Sequence, residues 1–312
     1  MSTAMSLSLD ILLLNSQTWL YPQLLTLEPI RGNLRGIYPQ RGKKLDSVSP
    51  ETLLAQTIKS LNTDRFAQDL NCWLRALAHH DNTTILAYFR DETPRLLMTD
   101  ADTPEVHRDM TTVYLSGAYL LDPFYELHNS GAAVGLYRIW EIAPDQFSRN
   151  QYSIEYYQRT TMVDEIAFVI WPTPQISVHV CLGRDVRSGH RFSKPQRYAT
   201  KQVLPIVEAL VCEHWNNLRF SREDRKESVI ERMVRLVDET HSIHLTNRQA
   251  EVALLVLKGH SSTSIGLRLG ISPQTVKIFR KQLYKRCNVS SQAELFGLML
   301  PMLPAQSEPF GL

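Results

Sequence analysis

The sequence predicts an α+β domain, in which helices flank an antiparallel sheet, joined by a helical linker to an all-α domain of four helices. Three observations support this. Helical and alternating apolar patterns succeed one another across residues 55–220. Residues 221–243 are rich in charge, and residues 244–304 hold short helical stretches separated by glycine. Outside these lie an N-terminal extension without sustained periodicity, residues 1–54, and a tail, residues 305–312.

The composition suits folded domains in a reducing compartment. The chain has 312 residues and is 43% hydrophobic, which allows one or two well-cored domains. It contains no apolar run long enough to span a membrane, and its start lacks the basic region of a secretory signal. The four cysteines form no CxxC pair, so neither a disulfide framework nor a zinc site is expected. We expect a cytoplasmic protein with no membrane contact, metal or cofactor.

The first half of the α+β domain reads as two helices, a hairpin and a further helix. SPETLLAQTIKSLN and RFAQDLNCWLRALAHH carry apolar residues at helical spacing. TTILAYFRDETPRLLMTD predicts a β-hairpin that turns at residues 91–94. EVHRDMTTVYLSGAYLL returns to helical spacing and should end at Asp122, because the following Pro123 disfavours a helical residue before it.

The second half reads as another hairpin followed by a long helix. DEIAFVIW and QISVHVCLGR alternate apolar and polar residues around a Pro-Thr-Pro turn at residues 172–174. Ser193 and Pro195 then open one long helix through RYATKQVLPIVEALVCEHWNNLRF. In the linker, Val229, Met233 and Val237 recur every four residues, which predicts a helix that could pair with its copy in a dimer.

Positive charge is concentrated near the C-terminus. Residues 241–300 contain eight Lys and Arg but only two acidic residues, whereas the whole chain has a net charge of only +2. The remainder is therefore slightly acidic. A basic module on an acidic body suggests that this module alone meets a polyanion.

Capping signals divide the basic module into helices. Thr246 and Gln249 form a capping box, and the helix they start should stop at Gly259. A second short helix ends at Gly270, and Ser272 with Pro273 can start the third. Ser291 and Glu294 suggest a capping box for a fourth helix.

The third helix has an apolar and a cationic face. At 100° per residue one side presents the core residues Val276, Phe279, Leu283 and Cys287, and the other presents the basic residues Lys277, Arg280, Lys281 and Lys285. A helix held by its apolar face after a tight turn can enter the major groove of double-stranded DNA. The alternative is a solvated basic face on an ordinary helical bundle.

The segment LTNRQAEVALLVLKGHSSTSIGLRLGISPQTVKIFRKQLYKRCNVSSQAEL resembles the DNA-binding domain of LuxR-type transcriptional regulators. The resemblance implies a helix-turn-helix that binds DNA as a dimer, with RNA polymerase as a candidate partner. It also implies base contacts by Lys277, Ile278 and Lys281. Phosphate contacts would come from Gln274, Thr275 and Arg280, with Lys285 on the same face.

The segment VYLSGAYLLDPF resembles the aromatic–glycine–Asp-Pro segment of the GAF/PAS-like autoinducer-binding domain of quorum-sensing LuxR-type proteins. The resemblance implies that Asp122 accepts a hydrogen bond from a ligand amide inside a cavity lined by aromatic residues, namely Tyr88, Tyr114, Tyr119 and Trp140. Asp109 stands where autoinducer binders carry a tryptophan. The sequence therefore leaves the identity of the effector open: it is either an acyl-homoserine lactone or another metabolite.

Two kinds of alternative remain open beside this prediction: a purely structural role for the cavity residues, and a different function for the chain. Asp122 could simply be a turn residue, and the aromatic residues could simply be core. An enzyme fused to a DNA-binding module is disfavoured because GxSxG, HExxH and GxxxxGK[ST] are all missing from the sequence. A sigma-factor-like subunit is disfavoured because no basic, aromatic-rich strand-melting region precedes the module. The sequence therefore predicts a ligand-responsive, non-enzymatic DNA-binding regulator.

Overall fold

The computed structural model describes residues 48–90, 92–157, 159–219, 228–299 and 301. Most of the predicted N-terminal extension, the first residues of the linker and the tail lie outside these ranges. Within them, no helix combines the length and apolar character needed to cross a bilayer.

A five-stranded antiparallel sheet forms the centre of the α+β domain. Its strands are β1 (Asn82–Phe89), β2 (Arg95–Ala101), β3 (Gly135–Arg138), β4 (Met162–Thr173) and β5 (Ile176–Asp185). They lie in the order β2-β1-β5-β4-β3, and every neighbouring pair is antiparallel. Both predicted hairpins are present as β1–β2 and β4–β5. The edge strand β3 was not predicted, because four residues are too few to show an alternating pattern.

Four helices cover one face of the sheet: α1 (Pro50–Lys59), α2 (Phe66–Ala78), α5 (Lys194–Gln202) and α6 (Leu204–His214). The apolar residues of α1, α2 and α6 share a core with alternate strand residues such as Ile85 and Phe168, and α5 packs against α2 and α6. The predicted domain start at residue 55 falls inside α1, because Ser49 caps this helix and it continues to Lys59. The predicted single helix after Ser193 is wrong, since α5 ends before Val203 and α6 begins afresh with Pro205 in its first turn.

Irregular helical segments cover the opposite face. The helix predicted to end at Asp122 consists of three short turns, Pro104–His107, Met110–Tyr114 and Ala118–Leu121. Asp122 then caps α3 (Pro123–Asn129), because its Oδ1 accepts the Phe124 N–H at 2.8 Å. The short α4 (Ile139–Ile142) follows β3. The aspartate therefore starts a new helix as well as ending the preceding turn.

The C-terminal part is helical. Its helices are α7 (Val229–His241), α8 (Asn247–Lys258), α9 (Ser262–Leu269), α10 (Pro273–Cys287) and α11 (Gln292–Met299). The last four are those predicted. Met233 and Val237 of α7 are buried in the core that α8 shares, so this chain's own helices already cover the apolar stripe predicted for pairing with a copy.

Candidate functional site

Caps fix the start and end of each helix around α10. The predicted capping box is present, since Thr246 and Gln249 each accept the other's backbone N–H. Ser261 caps α9, and Ser272 caps α10 by accepting the Thr275 N–H at 3.0 Å. Each cap satisfies a backbone donor that the first helical turn leaves unpaired. The turn into α10 is therefore set by local sequence.

Two contacts hold α9 against the turn that leads into α10. A Cβ atom added to Gly266 would lie only 2.7 Å from the backbone oxygen of Ile271, so no larger residue fits there without movement. Arg248 of α8 donates to the backbone oxygen of Leu269 at 2.7 Å and to Glu251 at 2.8 Å. These contacts fix the angle between the two helices of the helix-turn-helix.

The two faces of α10 are those predicted. Val276, Leu283 and Cys287 are buried, and Phe279 is half-buried against the same core. The opposite face exposes five of the predicted DNA-contacting residues to solvent, namely Gln274, Lys277, Ile278, Lys281 and Lys285. Ile278 is 50% exposed, which is unusual for a large apolar side chain and leaves it free for an external contact.

The other two predicted DNA-contacting residues lie at the edge of this face. Arg280 is half-buried, with its guanidinium 3.5 Å from the Ser262 hydroxyl and its charge 6.0 Å from the Tyr284 ring centre. The Thr275 and Ser272 hydroxyl groups lie 2.7 Å apart at the start of α10. The N-terminus of α10 and these side chains present donors where a phosphate would lie beside the helix.

Arg286 has a structural role that the charge pattern did not reveal. Its guanidinium donates to the backbone oxygen of His244 at 2.6 Å and to Gln249 Oε1 at 3.1 Å. It therefore ties the end of α10 to the start of α8. Nothing in the sequence separates it from its exposed basic neighbours, because the pairing depends on how the helices cross.

A cavity lies between the sheet and the irregular segments. It encloses about 50 Å³ of open space. Its walls come from alternate residues of β1, from residues of β4 and β5 and from the turns around residues 104–114 and 152–160. They include the aromatic residues Tyr114, Tyr152, Tyr156 and Tyr157. A water molecule needs about 10–15 Å³ of such space, so the cavity as it stands fits a molecule of a few heavy atoms.

A chain of hydrogen bonds leads into this cavity through three predicted residues. The Tyr88 and Tyr114 hydroxyl groups lie 2.6 Å apart, and Tyr114 donates to Asp122 Oδ2 at 2.6 Å. Burial raises the pKa of Asp122 to about 6, although the bonds from Tyr114, the Phe124 N–H and Tyr152 oppose the rise. Asp122 and Tyr114 line the cavity, and Tyr88 supports them from behind.

Tyr119 and Trp140, also predicted for the cavity, do not line it. Tyr119 packs edge-on against Tyr125 at 4.9 Å between ring centres. Trp140 lies behind the cavity wall. Its ring centre is 6.4 Å from that of the cavity residue Tyr157 and 4.8 Å from the Arg191 guanidinium. Tyr119 lies on the irregular backbone of residues 104–121, whose turns place successive side chains where a regular helix would not. Trp140 lies on the short α4 instead.

Glu165 of β4 also lines the cavity and was not predicted. Burial raises the pKa of its carboxyl group, and the negative charges of Asp122 and Asp164 raise it further. In the sequence Glu165 belongs to DEIAFVIW. A charged residue at an alternate position of such a strand is predicted to face solvent. The cavity on that face is a tertiary feature, so the strand pattern alone could not reveal it.

The α+β domain contacts α8 and α9 through polar groups. Glu126 of α3 pairs with Lys258 at 2.6 Å and with Arg268 at 3.0 Å. Burial alone would raise the pKa of Glu126, but the two cations hold it below its usual value. Asn150 Nδ2 donates to the backbone oxygens of Leu257 (3.3 Å) and Lys258 (2.9 Å), and so caps the C-terminus of α8. A fixed contact therefore joins the cavity domain to the helix-turn-helix.

Comparison with known proteins identifies the C-terminal domain. Residues 244–299 match the family model described as "Bacterial regulatory proteins, luxR family". A protein of Aeromonas salmonicida, whose name describes it as an HTH-type transcriptional regulator in the exeN 3′ region, is 26% identical over 185 residues. That match covers 57% of this chain and 93% of the relative.

Two solved structures share partial similarity with the chain. The VqsR LBD domain from Pseudomonas aeruginosa is 23% identical, with a TM-score of 0.47, over 54% of this chain and 98% of that one. Escherichia coli SdiA is 15% identical, with a TM-score of 0.36, over 81% of this chain and 98% of that one.

Proposed function

We propose that this chain, whose residues 244–299 form a luxR-family DNA-binding domain, is a ligand-responsive regulator of transcription without enzymatic activity. The observation that carries the proposal is the outward face of α10. That face holds three exposed lysines and an exposed isoleucine on a helix that its own core and caps fix in place. The name of the A. salmonicida relative, which describes an HTH-type transcriptional regulator, agrees with it.

In the proposed complex α10 lies in the major groove. Lys277 and Lys281 would donate to the acceptor edge of guanine, and Ile278 would pack on a thymine methyl group. Gln274, Thr275, Arg280 and Lys285 would hold phosphates on either side of the groove. These assignments are those that the resemblance to LuxR-type domains implies. The exposure of Lys277, Ile278 and Lys281 on one face of α10 supports them.

The cavity would act on DNA binding through α3. Asp122 lines the cavity and caps α3, and four residues later Glu126 holds Lys258 and Arg268. A ligand that changes the position or charge of Asp122 would therefore shift the helix that anchors the helix-turn-helix. This path is short and consists only of one helical turn and two ion pairs.

The regulator would bind DNA as a homodimer. A single α10 reads only a few base pairs, and two copies on a palindrome would place their recognition helices about one helical turn of DNA apart. RNA polymerase would be the partner through which the bound dimer acts on a promoter. Both partners belong to the proposal.

The test is selection of a binding site from random double-stranded DNA by the full-length protein, followed by fluorescence-anisotropy titration. We expect a selected site with two related half-sites and a Kd that weakens steeply with salt. Sedimentation of the complex should give two chains per duplex. Enrichment of no sequence, with binding equal on all duplexes, would contradict the proposal.

A further inference from the structure

The cavity carries two carboxyl groups that lack a cationic partner. Asp122 and Glu165 both line it, and within the described residues neither forms an ion pair with Lys or Arg. Asp164, next to Glu165 on β4, shows the contrast, because Arg138 binds it through Nε at 3.0 Å and Nη2 at 2.9 Å. Arg138 therefore neutralises Asp164, which faces away from the cavity. The neighbouring Glu165, which faces the cavity, has no counter-charge among the described residues.

His107, the basic side chain that the described residues place in the cavity wall, does not supply that charge. His107 Nε2 lies 3.0 Å from the Thr84 hydroxyl, and burial lowers the pKa of the imidazole, which keeps it neutral at pH 7. The lining residues in the described part of the chain include neither Lys nor Arg. A cation brought by a ligand would be the positive group opposite the two carboxyl groups.

The aromatic walls also favour a positively charged ligand. Tyr114 and Tyr156 stack with ring centres 5.6 Å apart, and Tyr152 and Tyr156 stack at 5.5 Å. All three line the cavity and are buried. The faces of such rings attract an ammonium group, most strongly where water is excluded.

Within the part of the chain that the structure describes, two polar atoms in the wall lack a hydrogen-bond partner. Asn82 Nδ2 and the Tyr157 hydroxyl are buried and unpaired, and the two residues are 3% and 6% exposed. A buried polar group without a partner destabilises the folded state, so unpaired groups facing one cavity point to a ligand that pairs with them. The amide N–H of Asn82 needs an acceptor such as a hydroxyl or carbonyl oxygen.

We propose that the cavity binds a small organic cation, with its N–H groups directed at Asp122 and Glu165 and an oxygen atom that accepts from Asn82. This names the ligand class of the regulator proposed above and rests on that function. The open space of about 50 Å³ limits the enclosed part to a few heavy atoms, the size of a short amine or amino alcohol. Glu165 is the residue that sets the charge preference.

The experiment measures ligand-dependent melting of the full-length protein at pH 7 and constant ionic strength. The probes form a matched series of propylamine, propanol and propionate, with ethanolamine added for its hydroxyl group and octanoyl-homoserine lactone as a neutral alternative. A ligand that binds only the folded state raises the Tm with concentration. We expect saturable shifts with propylamine and a larger one with ethanolamine, and no shift with propanol, propionate or the lactone.

Two variants locate the bound cation. Glu165→Gln keeps the shape and a hydrogen-bonding group but removes the charge, so the Kd for ethanolamine should weaken at least about tenfold. Its melting temperature without ligand should equal or exceed that of the wild type, because Glu165 is half-buried and its charge has no cationic partner within the described residues. Glu141→Gln removes an exposed carboxylate of the same domain and should leave the Kd unchanged.

Three results would overturn the proposal. They are the absence of any shift with both amines, an equal shift with propanol, or wild-type affinity for ethanolamine in folded Glu165→Gln. Titration of the selected DNA site without added ligand is run in parallel. Intact DNA binding with no cation binding would refute the ligand class alone, whereas loss of sequence-specific DNA binding would refute the proposed function.

Discussion

Glu126 on α3 and Lys258 at the end of α8 form an ion pair of 2.6 Å that joins the cavity domain to the DNA-binding domain. The Lys258 side chain is only 12% exposed, and Arg268 binds the second carboxylate oxygen of Glu126. Because Asp122 caps the same helix, one helical turn connects the cavity wall to this pair. The relationship makes the domain contact sensitive to single substitutions.

Glu126→Gln should loosen the contact between the two domains. It leaves two cations facing a neutral amide, and since the pair is partly buried the cost should be about 1–2 kcal/mol. Hydrogen exchange should accelerate at the backbone amides of residues 257–261, where α8 ends against the α+β domain. Glu105→Gln, which removes the partner of Arg108 on an exposed turn, serves as the control and should change neither quantity. Unchanged exchange in Glu126→Gln would contradict the role of the ion pair.

Gly259→Ala should destabilise the protein more than Gly270→Ala. Both glycines cap a helix with positive φ, 92° and 64°, so each alanine carries the left-handed penalty of about 1 kcal/mol. At Gly259 the new Cβ would also lie 2.7 Å from Asn150 Nδ2, whereas nothing lies within 4 Å at Gly270. Overpacking should add about 1–3 kcal/mol to the first variant, measured by urea unfolding. Equal losses of stability would show that the Asn150 contact is absent in solution.

The sequence predicted the helix-turn-helix well because its signals are local. Thr246, Gly259, Gly270 and Ser272 cap or stop helices through their own backbone neighbours, and the 3.6-residue period separates the core and basic faces of α10. The structural role of Arg286 was not predicted, because its partner, the backbone of His244, lies 42 residues away in the sequence. Its role depends on the helix crossing and not on its spacing along α10.

The cavity was predicted less completely because it is assembled from distant segments. Asp122 and Tyr114 were found through the Asp-Pro segment, but Glu165 comes from a strand some forty residues later. Tyr119 was predicted in the wall by resemblance, yet the three short turns between residues 104 and 121 direct the side chains differently from one regular helix. Backbone irregularity of this kind leaves no periodic trace in the sequence.

Lys277→Ala together with Lys281→Ala should abolish sequence-specific DNA binding without unfolding the protein. Both side chains are exposed on the outer face of α10, so their removal disturbs no core packing. Removing a lysine that hydrogen-bonds a base should cost about 1–3 kcal/mol of binding free energy, and removing one that binds a phosphate should reduce the salt slope by about one. Anisotropy titration on the selected duplex at several salt concentrations measures both effects.

Lys194→Ala together with Lys201→Ala provides the charge-matched control for that double variant. These lysines are exposed on α5 of the α+β domain, so their removal changes the net charge equally but leaves α10 intact. The control should bind the selected site like the wild type. Wild-type affinity in the folded Lys277→Ala/Lys281→Ala variant would refute the assignment of α10 as the DNA-reading helix.

Asp122→Asn should change how stability depends on pH. The folded-state pKa of Asp122 is raised from the usual 3.8 to about 6, so the folded state holds this proton more tightly than the unfolded state. The resulting stabilisation is complete below the unfolded pKa and is lost as the pH rises through about 6. Asparagine cannot titrate and can still cap α3, so it removes this loss while keeping the helix start.

The measurement is the free energy of unfolding of the wild type minus that of Asp122→Asn, determined by urea titration between pH 4 and pH 7.5. The difference should fall with rising pH by up to about 3 kcal/mol. His128 and His260, whose burial lowers the pKa of each imidazole to about 4, act in the opposite direction but equally in both proteins, so they cancel.

The titratable groups that face Asp122 across the cavity also bear on this slope. They are Tyr114, Tyr152, Tyr156, Tyr157, His107, Cys181 and Glu165. Glu165 also has a raised pKa, to which the charge of Asp122 contributes, so the variant should lower that pKa and enlarge the measured slope. A difference that stays flat across this pH range would mean that Asp122 is hydrated in solution and is not enclosed by the aromatic wall.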